Sequence, residues 1–210
     1  MKLECRPVAT HIFKIESRSI IPREWGDYGH ILQHGMASHS PRVDGRLALE
    51  RTGPFISPIT LPGLGVVVVT SHARQQLESS GLTGFTFRPV EKVLTVELRW
   101  ENWDLAAGEP PYFPDSGEPE DYILGWPDSP AASAGLGELW EVLVPDTATI
   151  LRPQRIVTSY KELCLDLDTW NGADLFRSNG YLAILFTERA REWFSDNWGK
   201  YVEFDEFPTK

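Results

Sequence analysis

Residues 64–90 read LGVVVVT, SHARQQLESSG and LTGFTFRPV in succession, and they predict a strand, a short helix and a second strand. The run of four valines is too short and too apolar for a surface helix, so it indicates a strand that is covered on both faces. Thr70 or Ser71 is suited to cap the following helix. Phe85 and Phe87 alternate with polar residues, which is typical of a strand with one buried face.

The same pattern returns at residues 181–204, where YLAILFT precedes ERAREWF and a final strand pattern. At one constant offset, Thr70, Ala73, Arg74 and Leu77 match Thr187, Ala190, Arg191 and Phe194. Two unrelated capped helices after buried strands are the alternative. We predict an α+β fold with a mixed central sheet, a few short helices, and two similar strand–helix–strand units at about 64–90 and 181–204.

The length of 210 residues permits one substantial core or two small ones. We predict a single domain over residues 1–210, with pseudo-repeat halves at 1–99 and 152–210. An acidic segment at 100–151 that is rich in aromatic residues would join these halves.

Composition argues against several classes of protein. No apolar run approaches the ~20 residues that cross a bilayer, and charges interrupt the N-terminus too early for a signal peptide. Cys5 and Cys164 fit no zinc or disulfide pattern, so we expect reduced thiols and a cytoplasmic location. A net charge of -10 disfavours nucleic acid and anionic lipid as partners. We expect no cofactor, because neither strand–helix–strand unit carries a glycine-rich phosphate loop.

The charge is concentrated in one segment of the chain. Residues 1–99 carry 12 basic and 9 acidic side chains, residues 100–151 carry 11 acidic and no basic ones, and residues 152–210 carry 8 basic and 10 acidic ones. The acidic segment also holds seven aromatic residues, namely Trp100, Trp103, Tyr112, Phe113, Tyr122, Trp126 and Trp140. Rings supply desolvated contact and carboxylates select a basic partner, so this composition predicts an ordered docking surface. A solvated loop whose rings pack on the core is the alternative.

We expect this surface to bind a basic protein domain rather than to catalyse a reaction. The predicted partner-binding residues are Tyr112, Phe113, Asp115, Glu118, Glu120, Asp121, Tyr122 and Trp126. Glycosidases need two carboxylates at a set separation, but acids this abundant guarantee accidental pairs such as Glu118 and Asp121. No serine elbow, cysteine–histidine motif or phosphate loop supports an enzyme.

A histidine cluster supplies the alternative function, a metal-dependent enzyme. His30 and His34 would lie on one face of a helix, with His39 or Asp44 as a third ligand. The glutamate of an HExxH motif is absent, and Gly35 interrupts the predicted helix within residues 30–39. We therefore predict no metal site here, while the enzyme remains the second hypothesis.

Several blocks of the sequence resemble an uncharacterised bacterial family. These blocks are ERTGPFISPITLPG at 50–63, LTGFTFRPV at 82–90 and SGEPEDYIL at 116–124. The ending WNGADLFR at 170–177, followed by a strand, a helix rich in Arg and Ala and a final strand, is similar to the C-termini of immunity proteins of bacterial polymorphic toxin systems. Among these are the double-CxxCG proteins of myxobacteria. Both CxxCG pairs are missing here, so the resemblance implies no zinc ribbon.

The resemblance implies an immunity protein that binds and neutralises a cognate toxin domain by occluding it. A scaffold module that self-associates through the tryptophan-rich segment is a third hypothesis. The sequence gives no indication of the oligomeric state.

Overall fold

The computed structural model describes residues 10–37 and 42–210. The strands of these residues are β1 (Ile12–Ser17), β2 (Met36–Ala37), β3 (Ala48–Gly53), β4 (Ile59–Thr60), β5 (Val68–Thr70), β6 (Thr86–Pro89), β7 (Glu91–Glu97), β8 (Leu139–Leu143), β9 (Asp146–Leu151), β10 (Cys164–Asp166), β11 (Leu175–Asn179), β12 (Tyr181–Thr187) and β13 (Val202–Phe207). The α-helices are α1 (Gly26–His34), α2 (Ser71–Ser79), α3 (Asp121–Leu124), α4 (Pro130–Leu136) and α5 (Glu188–Trp198). The predicted α+β class is confirmed, and the described strands form three sheets.

The chain divides into two compact units that are built from interleaved segments. Of the described residues, the first unit comprises 10–16, 77–86 and 143–210, and the second comprises 17–37, 42–76 and 87–142. The predicted single domain with pseudo-repeat halves stays a prediction.

The first unit contains a six-stranded sheet in the order β10, β9, β11, β12, β1, β13. Strand β12 is antiparallel to both β11 and β1, whereas β9 and β11 run parallel. Helix α5 packs on this sheet through Phe194, whose ring meets that of Phe186 at 5.0 Å in an edge-on contact. Such contacts between buried rings add to the hydrophobic stabilisation of the core.

Asp174 connects residues 77–86 to the other segments of the first unit through hydrogen bonds. Its carboxylate accepts hydrogen bonds from the backbone N–H of Thr83 at 2.9 Å and from the hydroxyl of Thr187 at 3.1 Å. Arg189 adds an ion pair at 3.2 Å. A buried carboxylate needs such partners, because an unpaired charge in the interior is costly.

The second unit contains the two smaller sheets, in the orders β2, β3, β7 and β4, β5, β8, β6. Strands β3 and β7 run parallel, as expected for strands that are joined by a long crossover connection. The described residues of this unit form three clusters of buried side chains. One consists of Leu47, Leu49, Val66, Val68, Val90 and Leu139, the second of Ile21, Trp25, Leu32, Trp100 and Tyr122, and the third of Met36, Val96 and Ile123.

The two predicted strand–helix–strand units are present, as β5–α2–β6 and β12–α5–β13. Thr70 accepts a hydrogen bond from the N–H of Ala73 at 3.2 Å, and Thr187 accepts one from Ala190 at 3.3 Å. In each strand–helix–strand unit, the two strands that flank the helix are not hydrogen-bonded to each other. Strand β8 lies between β5 and β6, and β1 lies between β12 and β13.

One prediction about the thiols is wrong. Cys164 is buried and disulfide-bonded, whereas the sequence predicts reduced thiols. The spacing of cysteines along a chain carries little information about which sulfurs meet after folding. Cys5 lies outside the described residues. Within residues 10–37 and 42–210, no helix combines the length and the apolar character needed to cross a bilayer.

Candidate functional site

The aromatic residues of the acidic segment divide into buried and exposed groups. Trp100 and Tyr122 are fully buried in the second unit. Tyr112, Phe113 and Trp126 are exposed by 39%, 44% and 53%. The sequence left two alternatives, a docking surface and a loop whose rings pack on the core. The structure combines them, because some of the rings are buried in the core and others face solvent.

Buried and half-buried rings contact the exposed ones. Tyr112 meets Trp103 at 5.4 Å and Tyr122 at 5.7 Å, both in edge-on geometry. Phe113 meets Tyr28 at 5.0 Å, also edge-on. Edge-on contacts at these distances are the arrangement that aromatic pairs prefer, so the exposed rings have defined positions.

Side chains near helix α1 hold the loop that precedes α3. The hydroxyl of Tyr28 donates to the carbonyl of Gly117 at 2.6 Å. The indole N–H of Trp25 donates to the carbonyl of Ala107 at 2.9 Å. Trp25 and Tyr28 were not among the predicted site residues. The only sequence feature that points to them is the occurrence of two large rings in a short turn-rich stretch.

Tyr122 anchors the same loop from helix α3. Its hydroxyl donates to the backbone carbonyl of Tyr112. Burial raises the pKa of Tyr122, with smaller contributions from Tyr112 and Tyr28, so the hydroxyl keeps the proton that it donates. Tyr122 was predicted as an exposed anchor for a partner, but its side chain is fully buried and acts as support.

A pocket of about 240 Å³ opens on this loop. Its lining residues are Tyr112, Phe113, Pro114, Asp115, Ser116, Asp121, Tyr122, Gly125 and Trp126. Six of the eight predicted partner-binding residues therefore lie around one pocket. Glu118 and Glu120 are not among the lining residues; Glu118 is exposed and Glu120 is half-buried just before α3. We call residues 112–126 with this pocket the 112–126 surface.

The carboxylates of this surface form no ion pair with the part of the chain that the structure describes. Among the residues that the structure describes, no Lys, Arg or His forms an ion pair with Asp115, Glu118, Glu120 or Asp121. Their negative charge is therefore available to a partner.

Two other acids of the segment are neutralised. Arg42 binds both carboxylate oxygens of Glu141, at 2.6 and 2.7 Å, and this hydrogen bond raises the pKa of Arg42. Arg99 lies 3.7 Å from Glu101. The acidic segment therefore contains both paired and unpaired carboxylates among the described residues.

The titratable side chains of the pocket lining are those of Asp115, Asp121, Tyr112 and Tyr122, and the lining contains no histidine, lysine or cysteine. The hydroxyl of Ser116 accepts a hydrogen bond from the backbone N–H of Glu118 at 3.1 Å, which is a turn-forming role.

The histidines differ from the arrangement that a metal site needs. The rings of His30 and His34 are 4.7 Å apart, but His34 is buried and its Nδ1 accepts the N–H of Leu61 at 3.2 Å. A neutral ring that accepts at Nδ1 carries its proton on Nε2, which leaves no lone pair for a metal.

The other candidate ligands add no support for a metal centre. His39 lies outside the described residues. Within the described part of the chain, no three side chains of the metal-binding types are grouped. No observation on the described residues supports the hypothesis of a metal-dependent enzyme.

The fold and the pocket together define an α+β protein with an exposed surface of rings and unpaired carboxylates. No protein-family model matches the chain, and no curated relative matches it. The resemblance to immunity proteins stays a prediction that rests on the residues quoted for it.

Proposed function

We propose that this protein is an immunity protein, a non-catalytic binder that neutralises a toxin domain by occluding it. The observation that carries the proposal is the 112–126 surface. Exposed aromatic side chains are the residues most often responsible for binding energy in protein interfaces. Here Tyr112, Phe113 and Trp126 are exposed beside carboxylates that have no cationic partner among the described residues.

The charge of this surface indicates a basic partner. Unpaired carboxylates around an aromatic patch attract a cationic domain and raise its rate of association. The same charge repels nucleic acid, so the partner we propose is the toxin protein itself. The proposal includes no cofactor, no membrane partner and no catalytic step.

The proposed location is the cytoplasm. The disulfide bond of Cys164 disagrees with this location, because reducing systems keep most cytoplasmic thiols free. Thiol titration of freshly lysed, denatured protein decides the matter. Two free thiols per chain support the cytoplasm, and none supports an oxidising compartment.

The decisive experiment is co-purification with the toxin domain encoded by the neighbouring gene. We expect a stable complex and protection of cells that express the toxin. Absence of a complex at micromolar concentrations removes the proposal. Self-association through the same rings is the competing function, and light scattering of the isolated protein across a concentration series distinguishes it from toxin binding.

Removing two exposed rings should abolish most of the affinity. In the double variant Phe113→Ala and Trp126→Ala, we expect Kd for the toxin to rise at least about 100-fold, because central aromatic anchors each contribute roughly 2 kcal/mol or more. Isothermal titration calorimetry measures this change. The control removes two apolar side chains elsewhere that are still more exposed, Ile156 and Leu182, by substitution with alanine. If both double variants bind like the original protein, the toxin binds at another surface.

A further inference from the structure

The pocket of the 112–126 surface combines ring walls with acidic groups. Tyr112, Phe113 and Trp126 contribute exposed rings, and Asp115 and Asp121 contribute carboxylates to the same lining. Ring faces attract cations through their quadrupole, and a carboxylate beside them adds a charge-assisted hydrogen bond. This pairing selects a cationic side chain and disfavours an anionic or a purely apolar one.

We infer that this pocket receives one arginine side chain of the partner. The inference rests on the proposed function, because it names the group of the toxin that the surface recognises. A guanidinium is planar and weakly hydrated, so it stacks on aromatic faces while its fork of N–H groups binds a carboxylate. The compact, strongly hydrated ammonium of lysine fits this combination less well.

Two of the three pocket walls are held in place before a ligand arrives. Tyr112 is fixed by edge-on contacts with Trp103 and Tyr122, and Phe113 is fixed by Tyr28. A preformed pocket loses little conformational entropy when it is filled, which favours binding of a single side chain.

Trp126 differs from the other two walls. Its indole is 53% exposed, and within the described residues it makes no ring contact of the kind that fixes Tyr112 and Phe113. Trp126 is therefore the wall that is free to settle on a bound guanidinium. Its indole N–H provides a spectroscopic reporter at the pocket itself.

The test is a titration of the purified full chain with N-acetyl-arginine methylamide, followed by NMR. The indole N–H resonance of Trp126 is assigned by its loss in Trp126→Phe. We expect a saturable shift of this resonance with Kd on the order of millimolar, as for a ligand of this size in a single pocket. The lysine analogue should bind more weakly. The neutral citrulline analogue should bind at least about tenfold more weakly, because it lacks the charge.

Two variants test the carboxylates separately. Asp121→Asn and Asp115→Asn should each weaken arginine binding by about tenfold or more. Asp115 is an exposed loop residue, so its variant keeps the test valid if Asp121→Asn fails to fold. The control variant Glu97→Gln and Glu109→Gln removes two exposed acids outside the pocket and should leave the affinity unchanged.

The outcomes separate this inference from the proposed function. An unshifted Trp126 resonance, or equal binding of arginine and citrulline, overturns the arginine assignment even if the toxin binds. Tighter binding of lysine overturns it as well. Specific arginine binding without a toxin complex supports the pocket assignment and removes the immunity function.

Discussion

Acidification below pH 6.5 is expected to destabilise the protein through His34. Burial lowers the pKa of His34 to about 3, with additional contributions from His30 and Arg51. Protonation of Nδ1 would also break the hydrogen bond from Leu61. In the unfolded chain the same ring titrates at its ordinary pKa of 6.5. Between these two values the unfolded state binds a proton that the folded state does not, so lowering the pH favours unfolding.

The stability contributed by neutral His34 is complete above pH 6.5 and is lost as the pH falls from 6.5 toward 3. The slope is about 1.4 kcal/mol per pH unit, or roughly 2 kcal/mol by pH 5. Urea denaturation at pH 7.5 and pH 5 measures it. The variant His34→Gln should lose this part of the pH dependence, whereas the exposed His72→Gln should retain it. Equal pH dependence in the two variants would contradict the assignment.

Replacement of Trp100 by alanine should lower the free energy of unfolding by about 3–5 kcal/mol, as is usual for a buried aromatic residue. Trp100 is completely buried, and its ring meets that of Phe55 edge-on at 5.2 Å. Its indole N–H donates to the hydroxyl of Thr52 at 3.2 Å. The substitution removes both contacts and leaves a cavity in the core that contains Tyr122.

Trp126→Ala is the matched control for this prediction. It deletes the same side chain from an exposed position, so we expect a change in the free energy of unfolding within about 0.5 kcal/mol. Urea denaturation of both variants tests the contrast. A loss of several kcal/mol in Trp126→Ala would show that this ring belongs to the core, and the 112–126 surface would lose one of its anchors.

Local sequence signals were sufficient to predict the two strand–helix–strand units. The caps Thr70 and Thr187 act within a few residues of their own positions, and valine runs indicate buried strands without reference to the rest of the chain. The neighbours of these strands could not be predicted in the same way. Strand β8 lies between β5 and β6, and β1 lies between β12 and β13. Both inserted strands come from distant parts of the chain, so no local pattern predicts their pairing.

For the candidate site too, local composition could be predicted from the sequence, whereas contacts between distant residues could not. Composition predicted that rings and acids occur together around residues 112–126, and the structure groups six of the eight predicted residues at one pocket. Tyr112 and Tyr122 look equivalent in the sequence, yet one is exposed and the other is completely buried. Arg42 and Glu141 are 99 residues apart in the chain, so no local pattern predicts that this acid is neutralised.

Contact between the toxin and the 112–126 surface is tested most directly by hydrogen exchange of the purified complex. We expect the amides of residues 112–126 to exchange at least about tenfold more slowly in the complex than in the free protein, because the partner shields this segment and suppresses its local opening. Residues 146–166 of the first unit should exchange equally in both states. Slowed exchange that is confined to other segments, with residues 112–126 unchanged, would contradict the proposed docking surface.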